Sequence, residues 1–258
     1  MKILAIGDVV GKRSIEYLSR QLWGVRNRLG ADLVIANGEN ASEIHGLTAA
    51  DAAALLDCGI DLLTMGNHTF GYRDIGPFLD NRSDEIIRPC NYPAACPGQG
   101  YTVRRVGGLR LLCMNVSGQV FLDSLHDPFD AVDAILKRED GNYDLSILDI
   151  HAEATSEKLA LARYFDGRVT VLFGTHTHVP TADGQILPGG SGYVTDLGMT
   201  GPTDGVLGVN AEDVLKKFRT HMPTRFTVAQ GPIEAQAVLF TVSDTAPFRA
   251  LAVERVTF

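Results

Sequence analysis

The chain has 258 residues, of which 45% are hydrophobic and 21% are charged, a composition typical of a folded globular protein. Its formal net charge of -8 argues against stable binding of nucleic acid or of an anionic membrane, since both require clustered lysine and arginine. No apolar run approaches the roughly 18 residues of a membrane helix. A phosphate-bearing ligand would therefore have to bind at a local positive centre.

The N-terminal stretch MKILAIGD has too short an apolar segment for a signal peptide and is predicted to form a buried strand. The four cysteines have no CxxC spacing and lie in mostly apolar surroundings, which favours reduced thiols. They are Cys58, Cys90, Cys96 and Cys113. We therefore expect a cytoplasmic protein.

Near-continuous apolar runs recur along the chain and predict strands that are buried on both faces. The runs are Ile3 to Ile6, Leu33 to Ala36, Leu62 to Met65, Leu111 to Val116, Leu145 to Ile150 and Val169 to Phe173. Amphipathic segments between and after the runs predict helices. These segments are Ile15 to Leu29, Thr48 to Leu56, Phe129 to Lys137, Ser156 to Tyr164 and Ala211 to Arg219. This alternation predicts an α/β fold.

The last part of the chain has a different pattern. Ile233 to Phe258 contains two β-rich segments separated by Ser243 to Pro247, which predicts an antiparallel hairpin closing one side of the sheet. The chain contains no repeat, low-complexity linker or shift in composition that would mark a domain boundary. We therefore predict a single domain over residues 1–258.

Polar clusters follow most of the buried strands in the first two-thirds of the chain. The clusters are Gly7-Asp8, Asn37-Gly38-Glu39-Asn40, Gly66-Asn67-His68, His151-Ala152-Glu153 and Gly174-Thr175-His176-Thr177-His178. In an open α/β sheet the carboxyl ends of the strands line one crevice, so these clusters are expected to converge there.

The candidate metal ligands in these clusters combine oxygen donors with imidazoles, a mixture that suits Mn, Fe or Zn better than Ca. They are Asp8, Glu39, Asn40, Asn67, His151, His176 and His178. Seven candidates exceed what one tetrahedral ion requires. Two ions about 3.5–4 Å apart that share a carboxylate would use all seven.

Each cluster taken alone also has an ordinary structural interpretation. Asp8 suits a cap or turn, Glu39-Asn40 and Asn67 also occur in turns, and His151 suits a hydrogen-bonded core histidine. The pair His176 and His178 is more specific, because the strand spacing of two points both rings to one face. The recurrence of polar residues after successive strands favours the metal site over these separate interpretations.

Three other histidines, His45, His126 and His221, fall in predicted loops. Surface positions are expected for all three. His45 follows the Glu39 loop closely enough to line a pocket.

The ordered clusters resemble the motif series of the calcineurin-like metallophosphoesterase superfamily. Three stretches further resemble its YmdB-like branch, and this resemblance extends over essentially the whole chain. The stretches are Gly7-Asp8-Val9-Val10-Gly11, Asn37-Gly38-Glu39-Asn40-Ala41 and Thr195-Asp196-Leu197-Gly198-Met199-Thr200-Gly201-Pro202. The resemblance implies a four-layer fold of two mixed β-sheets flanked by helices. It also implies hydrolysis of 2′,3′-cyclic nucleotides and related phosphodiesters.

The sequence departs from the broader superfamily at three positions. Val10 stands where a ligating histidine is usual, and the resemblance to the branch implies that Asn40 replaces that ligand. Glu39 takes the place of a bridging aspartate. Thr69 stands where an acidic residue often follows the histidine of the third motif, which leaves open what orients His68.

The resulting assignment places Glu39 between two divalent ions, with Fe or Mn favoured and Zn as an alternative. The first ion is assigned to Asp8, Glu39, Asn40 and His178, and the second to Glu39, Asn67, His151 and His176. The two ions would lower the pKa of a bridging water, and the hydroxide would attack phosphorus in line. His68, outside the ligand set, is predicted to be the catalytic residue that protonates the leaving oxygen; the alternative is a simple pocket-wall histidine.

The favoured function is thus a metal-dependent phosphodiesterase with a small phosphodiester or cyclic nucleotide as its substrate. Two alternatives remain open: a phosphomonoesterase or protein phosphatase, and a regulatory metal-containing binding protein. A dianionic monoester needs extra cationic side chains, whereas only Lys12, Arg13 and Arg73 adjoin the motifs, which favours diesters. A homo-oligomer is compatible with the sequence.

Overall fold

A computed structural model describes residues 1–258 and contains two mixed β-sheets packed face to face, with helices on their outer faces. The four-layer α/β fold implied by the resemblance is confirmed. Each predicted buried strand and each predicted helix is present, with bounds that differ by a few residues.

The first sheet has eight strands. Their bounds are β1 Lys2–Ile6, β2 Asp8–Val9, β3 Leu33–Asn37, β4 Leu62–Thr64, β5 Ile86–Ile87, β12 Met199–Pro202, β13 Ile233–Val242 and β14 Ala250–Thr257, numbered in chain order. Strands β1, β3, β4 and β5 run parallel to their neighbours in this order. On the other side of β1, β13 pairs antiparallel with it and with β14, which confirms the predicted C-terminal hairpin.

The second sheet has six strands. Their bounds are β6 Tyr101–Val106, β7 Leu109–Ser117, β8 Leu145–His151, β9 Val171–Thr175, β10 Gln185–Ile186 and β11 Gly192–Val194. The four strands β7, β8, β9 and β11 are parallel, and β6 and β10 add an antiparallel edge on each side.

Six helices complete the fold. They are α1 Lys12–Leu29, α2 Ala49–Asp57, α3 Ile75–Asn81, α4 Pro128–Arg138, α5 Thr155–Phe165 and α6 Ala211–Thr220. The side chain of Thr48 caps α2 by accepting a hydrogen bond from the Asp51 amide. No helix combines the length and the apolar character that crossing a membrane requires.

The two sheets share one core, which explains why their strands read as unbroken apolar runs. On β1, Ile3 and Ala5 face the second sheet, while Leu4 and Ile6 face the helices on the outer side, because successive side chains of a strand point to opposite faces. The inner layer joins residues of both sheets, for example Ile35 and Ile147.

This shared layer leads us to predict that residues 1–258 unfold as one domain. Ile147→Ala, in the second sheet, should lower the free energy of unfolding by about 2–5 kcal/mol through lost burial and a cavity. The single tryptophan, Trp23, lies on α1 beyond the first sheet. In this variant the unfolding transition followed by Trp23 fluorescence and the one followed by far-UV circular dichroism should have the same midpoint, at a lower denaturant concentration than in the wild type.

The control is Ile186→Ala, since Ile186 is 45% exposed on β10 and its loss should change the midpoint little. An unshifted Trp23 transition in the Ile147→Ala variant would mean that the two sheets unfold separately.

Candidate metal centre

The seven predicted ligands come together at one edge shared by the two sheets. Asp8 opens β2 just after β1, and Glu39 and Asn40 follow β3. Asn67 follows β4 in the first sheet, whereas His151 ends β8 in the second, and His176 and His178 follow β9. The motifs are distant in sequence but lie together because the parallel strands present their carboxyl ends to one crevice.

Glu39 lies at the centre of this group, and its carboxylate is fully buried. Its Oε1 is 3.0 Å from His151 Nε2 and 3.3 Å from Asn40 Nδ2. Its Oε2 accepts a hydrogen bond of 2.8 Å from the backbone amide of His68. One carboxylate therefore contacts both halves of the predicted ligand set.

The ligands assigned to the second ion lie around His151. Its Nε2 is 3.1 Å from Asn67 Oδ1 and 3.1 Å from His176 Nδ1. Glu39, His151 and His176 each offer one ligand atom, and these three atoms lie within 4.8 Å of one another. This is close enough for all three residues to bind one ion.

The ligands assigned to the first ion lie around His178. Its Nε2 is 3.3 Å from Asn40 Nδ2 and 3.8 Å from Asp8 Oδ1. Oδ1 of Asp8 and Oδ1 of Asn40 are both buried without a hydrogen-bond partner. Buried polar oxygens of this kind are costly unless a donor or a cation compensates them. These oxygens, together with the imidazoles, fit a divalent metal.

The ring nitrogens of His151 are distinguished by their hydrogen bonds. Nδ1 is 2.8 Å from Thr175 Oγ1, and the Thr175 hydroxyl donates its single proton to Asp149 Oδ1 at 2.8 Å. Thr175 must therefore accept from Nδ1 of His151. Nε2 faces Glu39 and Asn67 and is then the nitrogen whose lone pair a metal ion would bind once its proton is displaced.

The other two imidazoles are held in the same way. Nε2 of His176 is 3.0 Å from Glu153 Oε2, and Nδ1 of His178 is 3.2 Å from the carbonyl oxygen of Leu207. In each ring the second nitrogen faces the shared centre. Acceptors outside the ligand set thus orient all three imidazoles.

The buried charges shift one another's pKa values. Burial raises the pKa of Asp8. Although burial opposes both changes, the charge interaction between Glu39 and His151 lowers the pKa of Glu39 to about 2 and raises that of His151 to about 9. Burial and the nearby His151 lower the pKa of His176 to about 3. Binding of a cation must displace the proton on His151, so metal binding and proton release are coupled.

The loop that carries His176 and His178 has an unusual backbone. Their φ angles are 101° and 61°, a region that residues other than glycine rarely adopt and that costs about 1–3 kcal/mol each. Between them, the amide and hydroxyl of Thr177 donate to Asp196 Oδ2 at 3.2 and 2.8 Å. Asp196 in turn forms a fully buried ion pair of 2.7 Å with Lys158 on α5, which anchors the strained loop.

Gly66 lets the two sheets approach at the centre of the site. A Cβ at this position would lie 2.2 Å from His151 Nε2 and 2.5 Å from Glu39 Oε2. Both distances are well inside van der Waals contact, so only glycine fits between β4 and these side chains.

His68 lies beside the ligand set. Its Nε2 is 3.2 Å from Asn67 Nδ2, and its ring stacks against that of His45 with centroids 4.2 Å apart. The His68 ring makes no hydrogen bond to a carbonyl oxygen, so the Asn67 amide and the His45 ring orient it.

Several supporting residues were not predicted. Asp149 lies inside the apolar run from Leu145 to Ile150, two positions before His151 and therefore on the same face of β8; a carboxylate in such a run was the available signal. Lys158 and Asp196 gave no such signal, because their pairing depends on how α5 packs against the loop after β11.

Comparisons with known proteins identify the family. The family described as YmdB-like protein matches residues 4–256. The chain belongs to this family. It is 41% identical over 256 residues to the 2′,3′-cyclic-nucleotide 2′-phosphodiesterase of Bacillus subtilis (strain 168), and the match covers 99% of this chain and 96% of the relative.

Two solved structures share the fold over the whole chain. A hypothetical protein from Thermus thermophilus has a TM-score of 0.93 at 40% identity, covering 100% of this chain and 99% of that one. A phosphatase from Mycoplasma pneumoniae has a TM-score of 0.93 at 33% identity, covering 100% and 93%. Membership of this family confirms the predicted enzyme class: the chain is a phosphoesterase, a hydrolase of phosphoric esters.

The central position of Glu39 generates a test of the shared ligand. Glu39→Gln, which keeps the shape but removes the charge, should weaken binding of both metal ions together, so that elemental analysis finds well under one tightly bound ion per chain. Glu16→Gln is the matched control, because Glu16 is exposed on α1. Retention of two tightly bound ions by Glu39→Gln would contradict the bridging assignment.

Proposed function

We propose that this chain is a dinuclear metal-dependent phosphodiesterase that hydrolyses small phosphodiesters, with 2′,3′-cyclic nucleotides as the substrate class. The observation that carries the proposal is the position of Glu39, whose one carboxylate lies within 3.3 Å of side chains from both halves of the ligand set. The activity named for the relative from Bacillus subtilis supports the choice of substrate.

The proposed ligands divide as the distances suggest. Asp8, Glu39, Asn40 and His178 would hold one ion, and Glu39, Asn67, His151 and His176 the other. Two divalent ions, Fe or Mn by preference and Zn as an alternative, supply Lewis acidity and an activated water when bound. Thr175, Glu153 and the Leu207 carbonyl keep the imidazoles aligned for this task.

His68 is the proposed general acid. Its backbone amide donates to Glu39 at 2.8 Å, which fixes it relative to the metal centre. Its ring is held on one face by His45 and can donate a proton to the leaving oxygen of the ester. Such a group typically contributes about 10²–10⁴-fold to the rate.

Most cationic side chains near the motifs already have partners within the protein, which favours a diester over a monoester as the substrate. Lys12 lies 3.8 Å from Asp51, and Arg13 donates to the carbonyls of Ala229 and Gly231. Lys158 is buried against Asp196. Of the three cations that adjoin the motifs, only the exposed Arg73 is left without such a partner for the second negative charge of a monoester. The phosphatase named for Mycoplasma pneumoniae supports the phosphomonoesterase alternative.

We also propose a cytoplasmic location. All four cysteines are free thiols, and burial raises the pKa of Cys90 and Cys113 to about 12. Unreactive, unpaired thiols suit a reducing compartment.

His68→Ala separates catalysis from metal binding. Because His68 lies outside the ligand set, the variant should keep its metal content while kcat falls by about 10²-fold or more. His126→Ala, at an exposed position, is the matched control and should retain full activity. Parallel loss of metal and activity would make His68 a ligand, and retained activity would make it a simple pocket-wall histidine.

The substrate class is tested by comparing 2′,3′-cyclic mononucleotides with the corresponding nucleoside monophosphates. The cyclic diester carries one negative charge at phosphorus and its leaving oxygen stays on the same sugar, so a small site with few cations suffices. We expect kcat/KM to be at least about tenfold higher for the cyclic diesters, equivalent to roughly 1.4 kcal/mol in the transition state. Assays with Mn- or Fe-loaded enzyme measure this ratio, and a preference for the monophosphates would establish the phosphomonoesterase alternative.

A further inference from the structure

A cavity of about 340 Å³ opens beside His68, on the side covered by His45. Three loops meet there, and three of the six residues that line it are hydrophobic. The lining residues are Glu43, Ile44, His45, Tyr72, Thr224 and Phe226. The volume lies at the lower end of the range for small-molecule sites, which suits one ring system with its attached sugar.

His45 connects this cavity to the catalytic centre. It is a lining residue of the cavity and its ring also stacks on that of His68, with centroids 4.2 Å apart. A ligand whose phosphate lay at the metal centre and whose leaving oxygen lay at His68 would therefore extend directly into the cavity.

The charges of the lining indicate which part of a ligand belongs there. No lysine or arginine lines the cavity, and the only carboxylate is that of Glu43. A phosphate would find no fixed positive partner in this environment. Tyr72 and Phe226 instead offer flat apolar faces, on which a neutral planar ring can stack.

We propose that this cavity binds the nucleobase of the substrate, an inference that rests on the cyclic-nucleotide function proposed above. Tyr72 and Phe226 provide the stacking surface. The Glu43 carboxylate accepts hydrogen bonds from exocyclic amines, and the Thr224 hydroxyl can donate or accept.

The walls of the cavity are held by close backbone packing. A Cβ on Gly46 would lie 2.8 Å from Tyr72 Cδ2, so the glycine lets the Tyr72 ring pack directly on the loop after Glu39. A Cβ on Gly11 would similarly lie 3.1 Å from Val228, two residues from Phe226. The loops are therefore placed by the same segments that carry the metal ligands.

A larger cavity elsewhere is a poorer candidate for the base. It has a volume of about 690 Å³ and includes Arg88, Arg138 and three aspartates in its lining. Its lining does not include His45, the residue whose ring stacks on that of His68. Its charged lining also suits a neutral planar ring less well than the cavity beside His45 does.

Removal of one stacking ring tests the proposal. Phe226→Ala should lower the ratio of kcat/KM for 2′,3′-cyclic AMP to that for the base-free analogue, methyl riboside 2′,3′-cyclic phosphate, by about tenfold, because base stacking on an aromatic ring contributes about 1–3 kcal/mol. Phe218→Ala is the matched control, since Phe218 is 71% exposed on α6 and does not line the cavity. The control should keep the wild-type ratio.

A second variant and a binding assay make the outcome decisive. Tyr72→Leu should lower the same ratio, which covers the case in which Phe226→Ala does not fold. Equal losses on both substrates, with the ratio unchanged, would overturn the nucleobase assignment. If the wild-type protein cleaves neither cyclic ester, the proposed function fails. Equilibrium dialysis with adenosine, comparing wild type with Phe226→Ala, then tests the cavity without turnover. Equal adenosine binding by the two proteins would overturn the nucleobase assignment.

Discussion

The structure of the site depends on one buried carboxylate, that of Glu39. A carboxylate removed from water requires compensation from every side, and Glu39 receives it from the His151 imidazole, the Asn40 amide and the His68 backbone. These partners come from three separate strand ends in the two sheets. The contacts to this one charge therefore join the edges of both sheets. The absence of a side chain at Gly66 leaves space for Glu39 and His151 to meet.

Orientation of the imidazoles is the second requirement, and it is met by residues that have no contact with the proposed ions. Asp149 acts on His151 through the Thr175 hydroxyl. Asp196 acts on the loop between His176 and His178, whose positive φ angles need an external restraint. These contacts hold the imidazoles in orientations that suit metal ligands, which limits the reorganisation that metal binding requires.

Most of the fold was predictable from the sequence because strands buried on both faces produce long apolar runs, and because capping at Thr48 marks a helix start. The short β2 and β5 strands, two residues each, are below the length at which alternation can be read. The position of each candidate ligand followed from the rule that parallel strands end at one edge. Asp149 and Glu153 were not assigned as supporting residues because their partners are set by tertiary packing rather than by spacing.

The proposed metal site and the proposed base site share some backbone segments and differ in others. The proposed metal ligands occupy strand ends and adjoining turns, where sheet pairing and the buried Asp196–Lys158 pair limit movement. The cavity beside His68 is built from loops, with Phe226 in the segment between α6 and β13. Under the proposed base assignment, substitutions in the segment that carries Phe226 should alter base preference while Glu39 and the imidazoles around it stay in place.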